Sequence, residues 1–526
     1  MKSRTVTWII STILFAALAV PTRLAAQERQ NKQQPHYKLI DLGTLGGPNS
    51  GVPTVFYEIN GTAGARAISN QGTIAGTGDT STTDPLCYLD DCFYPGAFQW
   101  QNDVLNNLGT LPGGQGSVVD WISGNGLITG NSENGATDPL SGLPEIHAVL
   151  WQRGQIVDLG VLPGGYESLA WSVNNRGQVV GFSTNGTLDP YSYFYFQFFG
   201  SSTGTQVRAF LWDKQNGMQD LGTLGGPDAW AGLVNERGQI AGISYTNFTA
   251  NATNGTCGAN VPAQDPFFWE KDTGMIDIGT FGGTCGITNA LNKRGQVAGQ
   301  SYLAGNLTAH AFLWEKNGHP QLADLGTLGG DNASALWLND AGEVIGYADL
   351  PPSPPGCTGL TCVHHAFLWK QGVMTDLGTI GTDPCSRAVS VNSKGQVVGF
   401  TAAVCGGNAT HGFVWEDGGP AIDLNTLVPP GSSLALSTPV YINDRGEIAG
   451  SGALSNGDTH AFLLIPCDEN DANTEGCEDQ TERTPIVRGD TSKRPKIALP
   501  ENAPSILRQR MGHWYHIPSL EASTYE

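Results

Sequence analysis

The chain of 526 residues has little charge: Asp, Glu, Lys and Arg together make up 14% of it, and 27 basic residues face 48 acidic ones. A net charge of −21 leaves no basic surface to neutralise phosphates, which excludes a nucleic-acid partner. Long apolar runs are also missing. The one candidate, Trp8 to Val20, has 13 residues, too few for about 30 Å of hydrocarbon. With Lys2 and Arg4 before it and Ala25 and Ala26 after it, this run reads as a secretory signal cleaved after Ala26. The mature chain is therefore expected to have no membrane span and to be secreted, either extracellular or periplasmic.

What is abundant is glycine, 71 residues against a usual share of roughly 7%. High glycine with low charge favours short strands and tight turns over long solvated helices, so an all-β protein is expected. Ten cysteines fit an oxidising destination. Their order suggests local disulfides: Cys87 with Cys92, Cys257 with Cys285, Cys357 with Cys362, Cys385 with Cys405, and Cys467 with Cys477. Paired C-x-x-C spacings, which a zinc site would need, do not occur. No metal or cofactor is expected.

One pattern recurs eight times between residues 65 and 464. In the third copy it runs Asn174-Asn175-Arg176-Gly177-Gln178-Val179-Val180-Gly181, then Arg208-Ala209-Phe210-Leu211-Trp212, then Asp220-Leu221-Gly222-Thr223-Leu224-Gly225-Gly226. Asn or Ser three residues before Gly marks a type I turn, as at Ser69, Ser123, Asn174, Asn235, Asn292, Asn339, Asn392 and Asn443. The run His310 to Trp314 alternates His310, Phe312 and Trp314 with Ala311 and Leu313, so both faces of that strand should be buried. Four strands per copy with burial on both faces indicate a β-propeller or a stacked β-solenoid.

The chain ends choose between them. The eighth copy stops at His460 to Leu464 without a fourth strand, while Tyr37 to Gly43 offers a fourth strand before any first strand, which is placed near Ala65. An eight-bladed propeller closed by the N-terminal strand follows, since closure removes exposed edges. The domain reading is a signal peptide over 1–26, a linker over 27–36, the propeller over 37–466, and a tail over 467–526. The tail has an acidic, Cys-containing loop, a linker, and a short helix suggested by Leu507, Met511 and Trp514.

The recurrent His-Ala-Phe at 310–312, 365–367 and 460–462, with Asp-Leu-Gly-Thr-Leu-Gly-Gly at Asp41, Asp220 and Asp324, resembles the HAF family of extracellular bacterial repeats over roughly residues 37 to 465. The resemblance implies secretion and a repeat fold; the family carries no catalytic residues to transfer. Gly96, Arg208 and Asp265 stand where three copies would have His.

The repeated His147, His310, His365, His411 and His460 would lie on separate blades and diverge, so each is expected to bond a nearby loop backbone instead of a shared metal. The repeated Asp158, Asp220, Asp277, Asp324 and Asp376 are expected to accept loop N–H bonds. Function is sought in what does not repeat. The connections from second to third strand vary widely and hold cysteines, so one face carries long, stapled loops. Within it, the aromatic run from Tyr191 to Phe199 is the sharpest signal. Tyr191, Tyr193, Phe194, Tyr195 and Phe196 are candidate ligand contacts, and an extra hairpin packed on its own blade is the competing reading. The leading function is a non-catalytic secreted protein binding a polysaccharide or extracellular protein; the alternatives are a polysaccharide hydrolase or lyase, and a structural cell-surface protein.

Overall fold

Each repeat turns its alternating apolar residues into a four-stranded antiparallel meander, as in repeat 6, with strands Ala333–Leu338, Val344–Asp349, His364–Lys370 and Val373–Asp376. The computed structural model describes residues 36–57, 61–85, 92–199, 204–250, 257, 260–316, 321–352, 359–416, 418–467 and 477. The expected signal segment and nearly all of the C-terminal tail lie outside these. The fold is all-β and consistent with a propeller-like arrangement. Repeats 4 and 5 join into one eight-stranded sheet through a parallel bridge between Gln264 and Cys285.

The turn chemistry acts as the spacing predicts. In the first hairpin of each repeat, glycines such as Gly177 (φ 76°) and Gly126 (φ 88°) take the left-handed conformation. The second glycine set is required for a different reason. A Cβ on Gly181 would sit 1.9 Å from the Leu169 carbonyl oxygen of the adjacent strand.

Third strands are buried on both faces. In repeat 5, Phe312 and Trp314 enter one apolar cluster with Phe268 of repeat 4, while Ala311 and Leu313 enter another with Ala335 and Phe367 of repeat 6. Each sheet is thus sandwiched between its neighbours, and the core is a series of inter-sheet layers.

Polar latches repeat between sheets. The turn Asn does more than hold its own turn: Asn292 Oδ1 accepts from the Arg294 and Gln296 N–H groups, and its Nδ2 donates to the Asn339 carbonyl of the next repeat. The same step runs from Asn174 to Asn235, Asn235 to Asn292, Asn339 to Asn392 and Asn392 to Asn443. On the third strands, Ala148 N–H donates to Ser168 Oγ and Ala366 N–H to Ser386 Oγ, each serine belonging to the following repeat.

That latch also occurs where the first and last repeats meet. Ala461 N–H of repeat 8 donates to Ser50 Oγ at 3.0 Å. Strand Tyr37–Asp41 pairs antiparallel with Thr459–Pro466, putting Asp41 opposite Phe462.

The first strand of repeat 1 differs from the reading that placed it near Ala65. It is Gly46–Gly51, paired with Ile74–Thr83, and a hairpin of Thr54–Tyr57 and Gly61–Gly64 interrupts it. After the insertion the chain rejoins the sheet, with Ala75 N–H donating to the Ala67 carbonyl and Ile68 bridging Ile74. The insertion carries no repeat phrase, so its position is invisible to the periodicity. Strand Gly61–Gly64 lies against the first strands of repeats 6 and 7.

Candidate functional site

The repeated histidines occur in most copies. His310 Nδ1 lies 2.8 Å from Asp324 Oδ2 on the fourth strand, and His147 with Asp158, His365 with Asp376, and His460 with Asp41 repeat this pair. Because an ionised carboxylate only accepts, Nδ1 carries the proton. The expected backbone partner is therefore corrected: each of these imidazoles bonds a carboxylate, which in turn accepts from the glycine N–H two residues on, as Gly326 does to Asp324. His411 instead meets Asp383. Arg208 replaces His and pairs with Asp220. Asp265 replaces it in repeat 4 and faces Asp277; burial, the Asp277 charge and their hydrogen bond push Asp265 up to about 7.

The loops stapled by Cys257–Cys285 and Cys385–Cys405 lie on the face opposite the Asn turns, whereas Cys467–Cys477 follows the last strand at the Asn-turn end. Cys92 and Cys362 are disulfide-bonded too, and their expected partners Cys87 and Cys357 lie outside the described residues.

Near the second staple, His364, Cys385 and Cys405 present ligand-type atoms to one another. Both sulfurs are used in the disulfide. Arg387 Nε donates to His364 Nε2, and His364 Nδ1 donates to the Cys362 carbonyl. Burial and the Arg387 charge hold His364 down at about 3, so it is a neutral structural imidazole. The Arg387 guanidinium lies 5.5 Å from the Tyr347 ring centre and 5.6 Å from that of Phe400.

The aromatic run is a helix, α1 (Tyr193–Phe199), and not a hairpin. Its cause is local. Tyr195 and Phe199 are four residues apart, hence on one helical face, and their rings meet at 5.2 Å. That face is buried against Phe182 of the repeat 3 sheet. Phe194 stacks on Tyr245 of repeat 4 at 5.1 Å and 19°. Tyr195 Oη donates to Asp138 Oδ2 of repeat 2. Among the candidate contacts, Phe194 and Tyr195 are therefore buried anchors, whereas Tyr191 and Tyr193 are half-buried. The Phe196 side chain lies outside the described set. Tyr191 Oη donates to the Phe248 carbonyl, which ties the loops of repeats 3 and 4 together, and the Phe248 side chain is 56% exposed.

Beneath α1 lies a polar group that the sequence did not assemble. Asp189 Oδ1 accepts from Tyr191 N–H at 3.0 Å, and Asp228 Oδ1 accepts from Val207 N–H at 2.8 Å. Thr205 pairs in register with Leu188, the neighbour of Asp189. Tyr245 N–H donates to the Asp228 carbonyl. All four side chains are buried. Burial, followed by the Asp189 charge, raises Asp228 well above the usual carboxylate range, and burial raises Asp189. Asp228 lies two residues after the repeated Gly-Gly phrase, at the position where Glu167 and Asn332 perform the same backbone latch, so the sequence offers no sign that it does more.

No family model matches the chain, and no curated protein matches it. Similar solved structures include a gluconolactonase from Xanthomonas campestris, at 8% identity over 83% of this chain and 96% of that one, with a TM-score of 0.28. Another is an ulvan lyase of a polysaccharide lyase family bound to a GlcA(1-4)Rha3S saccharide, at 12% identity over 82% and 98%, with a TM-score of 0.37. Neither likeness bears on activity here. Among the described residues, no helix is long and apolar enough to cross a membrane.

Proposed function

We propose that this is a secreted, eight-bladed propeller of the HAF type that binds an extracellular polysaccharide through its loop-bearing face. Eight repeats and the recurrence of the serine latch at the Ala461–Ser50 seam support a closed ring. Disulfides and the leading apolar segment support secretion.

The observation that carries the binding reading is the platform formed by Tyr191, Tyr193 and Phe248. Two loops from adjacent repeats are locked together by the Tyr191 hydroxyl, and α1 is anchored by its buried face, so half-buried Tyr191 and Tyr193 are held in place, with Tyr191 bonded to the backbone of the exposed Phe248. Tyrosine offers an apolar ring face with a polar rim, which suits a pyranose ring and costs little entropy when the side chain is already fixed. Protein partners use similar platforms.

A second reading, a polysaccharide hydrolase or lyase, is favoured by the raised Asp189 and Asp228 pair. Incubating purified residues 27–526 with bacterial and plant polysaccharides, and measuring bound protein together with released reducing or unsaturated ends, separates the two. Saturable retention without release supports binding. Time-dependent release that Asp228→Asn abolishes overturns it in favour of catalysis.

A further inference from the structure

Four buried polar atoms near α1 have no hydrogen-bond partner among the described residues: Asp189 Oδ2, Thr205 Oγ1, Asp228 Oδ2 and Tyr245 Oη. Backbone contacts gather their residues in one region: Asp189 N–H donates to the Gly204 carbonyl beside Thr205, Val207 N–H to Asp228 Oδ1, and Tyr245 N–H to the Asp228 carbonyl. Asp189 follows the second strand of repeat 3 and Thr205 opens its third, while Asp228 precedes the first strand of repeat 4 and Tyr245 ends its second. Their residues are at most 6% exposed, so bulk water does not serve them. Buried polar atoms are nearly always paired, and four orphans at one place call for an occupant.

We infer that this site holds one hard divalent cation of the calcium class between Asp189 and Asp228. The donor set is entirely oxygen, two carboxylates and two hydroxyls, with no imidazole or sulfur, which suits calcium and not zinc or copper. Each carboxylate already spends its other oxygen on a backbone N–H, from Tyr191 and Val207, which fixes its direction. The remaining oxygens of a six- to eight-coordinate shell would come from water or backbone carbonyls.

Charge balance supports the same occupant. Two buried carboxylates need compensation, and the cation whose field reaches Asp228, Arg208, is already bound to Asp220. A single shared proton would link the two carboxyls but leave the Thr205 and Tyr245 hydroxyls unserved. The cation would join the loop that carries α1 to the first strand of repeat 4, fixing the base of the tyrosine platform. This inference is independent of whether the platform binds a polysaccharide.

The test uses the full mature chain stripped with a chelator, then titrated with Ca²⁺ while its melting temperature is followed. A rise of roughly 5 °C at a hundred times the Kd is expected for a ligand that binds only the folded state. Tb³⁺ replaces Ca²⁺ in a parallel titration, in which excitation of Tyr245 and Trp230 should sensitise saturable emission that Ca²⁺ displaces. Asp189→Asn and Asp228→Asn should abolish both signals, Tyr245→Phe should weaken binding about tenfold, and the exposed control Asp272→Asn should leave them unchanged. Absence of both signals from the wild-type chain overturns the inference, as does emission that survives in both Asn variants. A calcium-free Asp228→Asn chain that melts higher than the wild type, with no Ca²⁺ response in either, assigns the pair to a shared proton instead.

Discussion

The indole rings of Trp121 and Trp337 lie 5.8 Å apart, although one belongs to repeat 2 and the other to repeat 6. Sheets stacked face to face are about 10 Å apart, so four steps along a linear solenoid would separate these residues by about 40 Å. Their contact requires the run of repeats to curve until repeats 2 and 6 meet. Tyr441 of repeat 8 meets Trp337 edge-on at 6.1 Å, and Ala65 packs against Trp121. The middle of the assembly is therefore filled by side chains at this level, which moves the search for a ligand site outward to the loop face.

The indole pair makes the first prediction. A double-mutant cycle of Trp121→Ala and Trp337→Ala, read by urea denaturation, should give a coupling of about 1 kcal/mol, typical of an aromatic pair. Strictly additive losses would mean that the two rings do not touch in solution.

The asparagine belt makes the second. Asn292→Ala removes two turn bonds and the step to Asn339, and should cost about 2 kcal/mol, since it leaves buried backbone groups unpaired. Asn292→Asp keeps the acceptor that holds the turn but places a carboxylate against the Asn339 carbonyl. It should destabilise nearly as much, whereas recovery to wild-type stability would show that the belt contributes little beyond each local turn.

Much of this was legible in the sequence, and the reason is repetition. Eight copies of Asn/Ser-x-x-Gly and of the buried third strand reveal turns, strands and two-sided burial, because each copy tests the others. What the sequence concealed lies where copies differ. The Thr54–Gly64 hairpin interrupts a strand without a repeat phrase. The segment from Tyr193 to Phe199 has the composition of a strand, yet the Tyr195–Phe199 spacing buries one helical face. Asp189 and Asp228 come from loops of different repeats, and only the packing of repeat 3 on repeat 4 brings them together.

The Asp265–Asp277 pair gives a pH prediction. Asp265 has a folded pKa of about 7, above the unfolded value of about 3.9. Its contribution is fully present below about pH 4 and is lost as pH rises through about 7. Asp265→Asn can donate to Asp277 at any pH. The variant should melt above the wild type at pH 8, and the gap should narrow or reverse towards pH 5; parallel melting curves would refute the shared proton.

The staple between Cys257 and Cys285 closes a loop with a sequence separation of 28. Replacing both by Ser should cost about 3 kcal/mol and should loosen the repeat 4 loop that carries Phe248. Limited proteolysis should then cut first between residues 246 and 263, and cleavage elsewhere would place the weak point outside the stapled face.

The most direct test of the binding account compares the two faces. Polysaccharide retention isotherms should be measured for the wild-type chain, for Tyr191→Ala/Tyr193→Ala on the loop face, and for Arg176→Ala on the exposed Asn-turn face. The account predicts saturable retention by the wild type and Arg176→Ala, and at least a tenfold loss in the tyrosine variant. Retention that depends on Arg176 and not on the tyrosines, or no saturable retention of any polysaccharide, would contradict it.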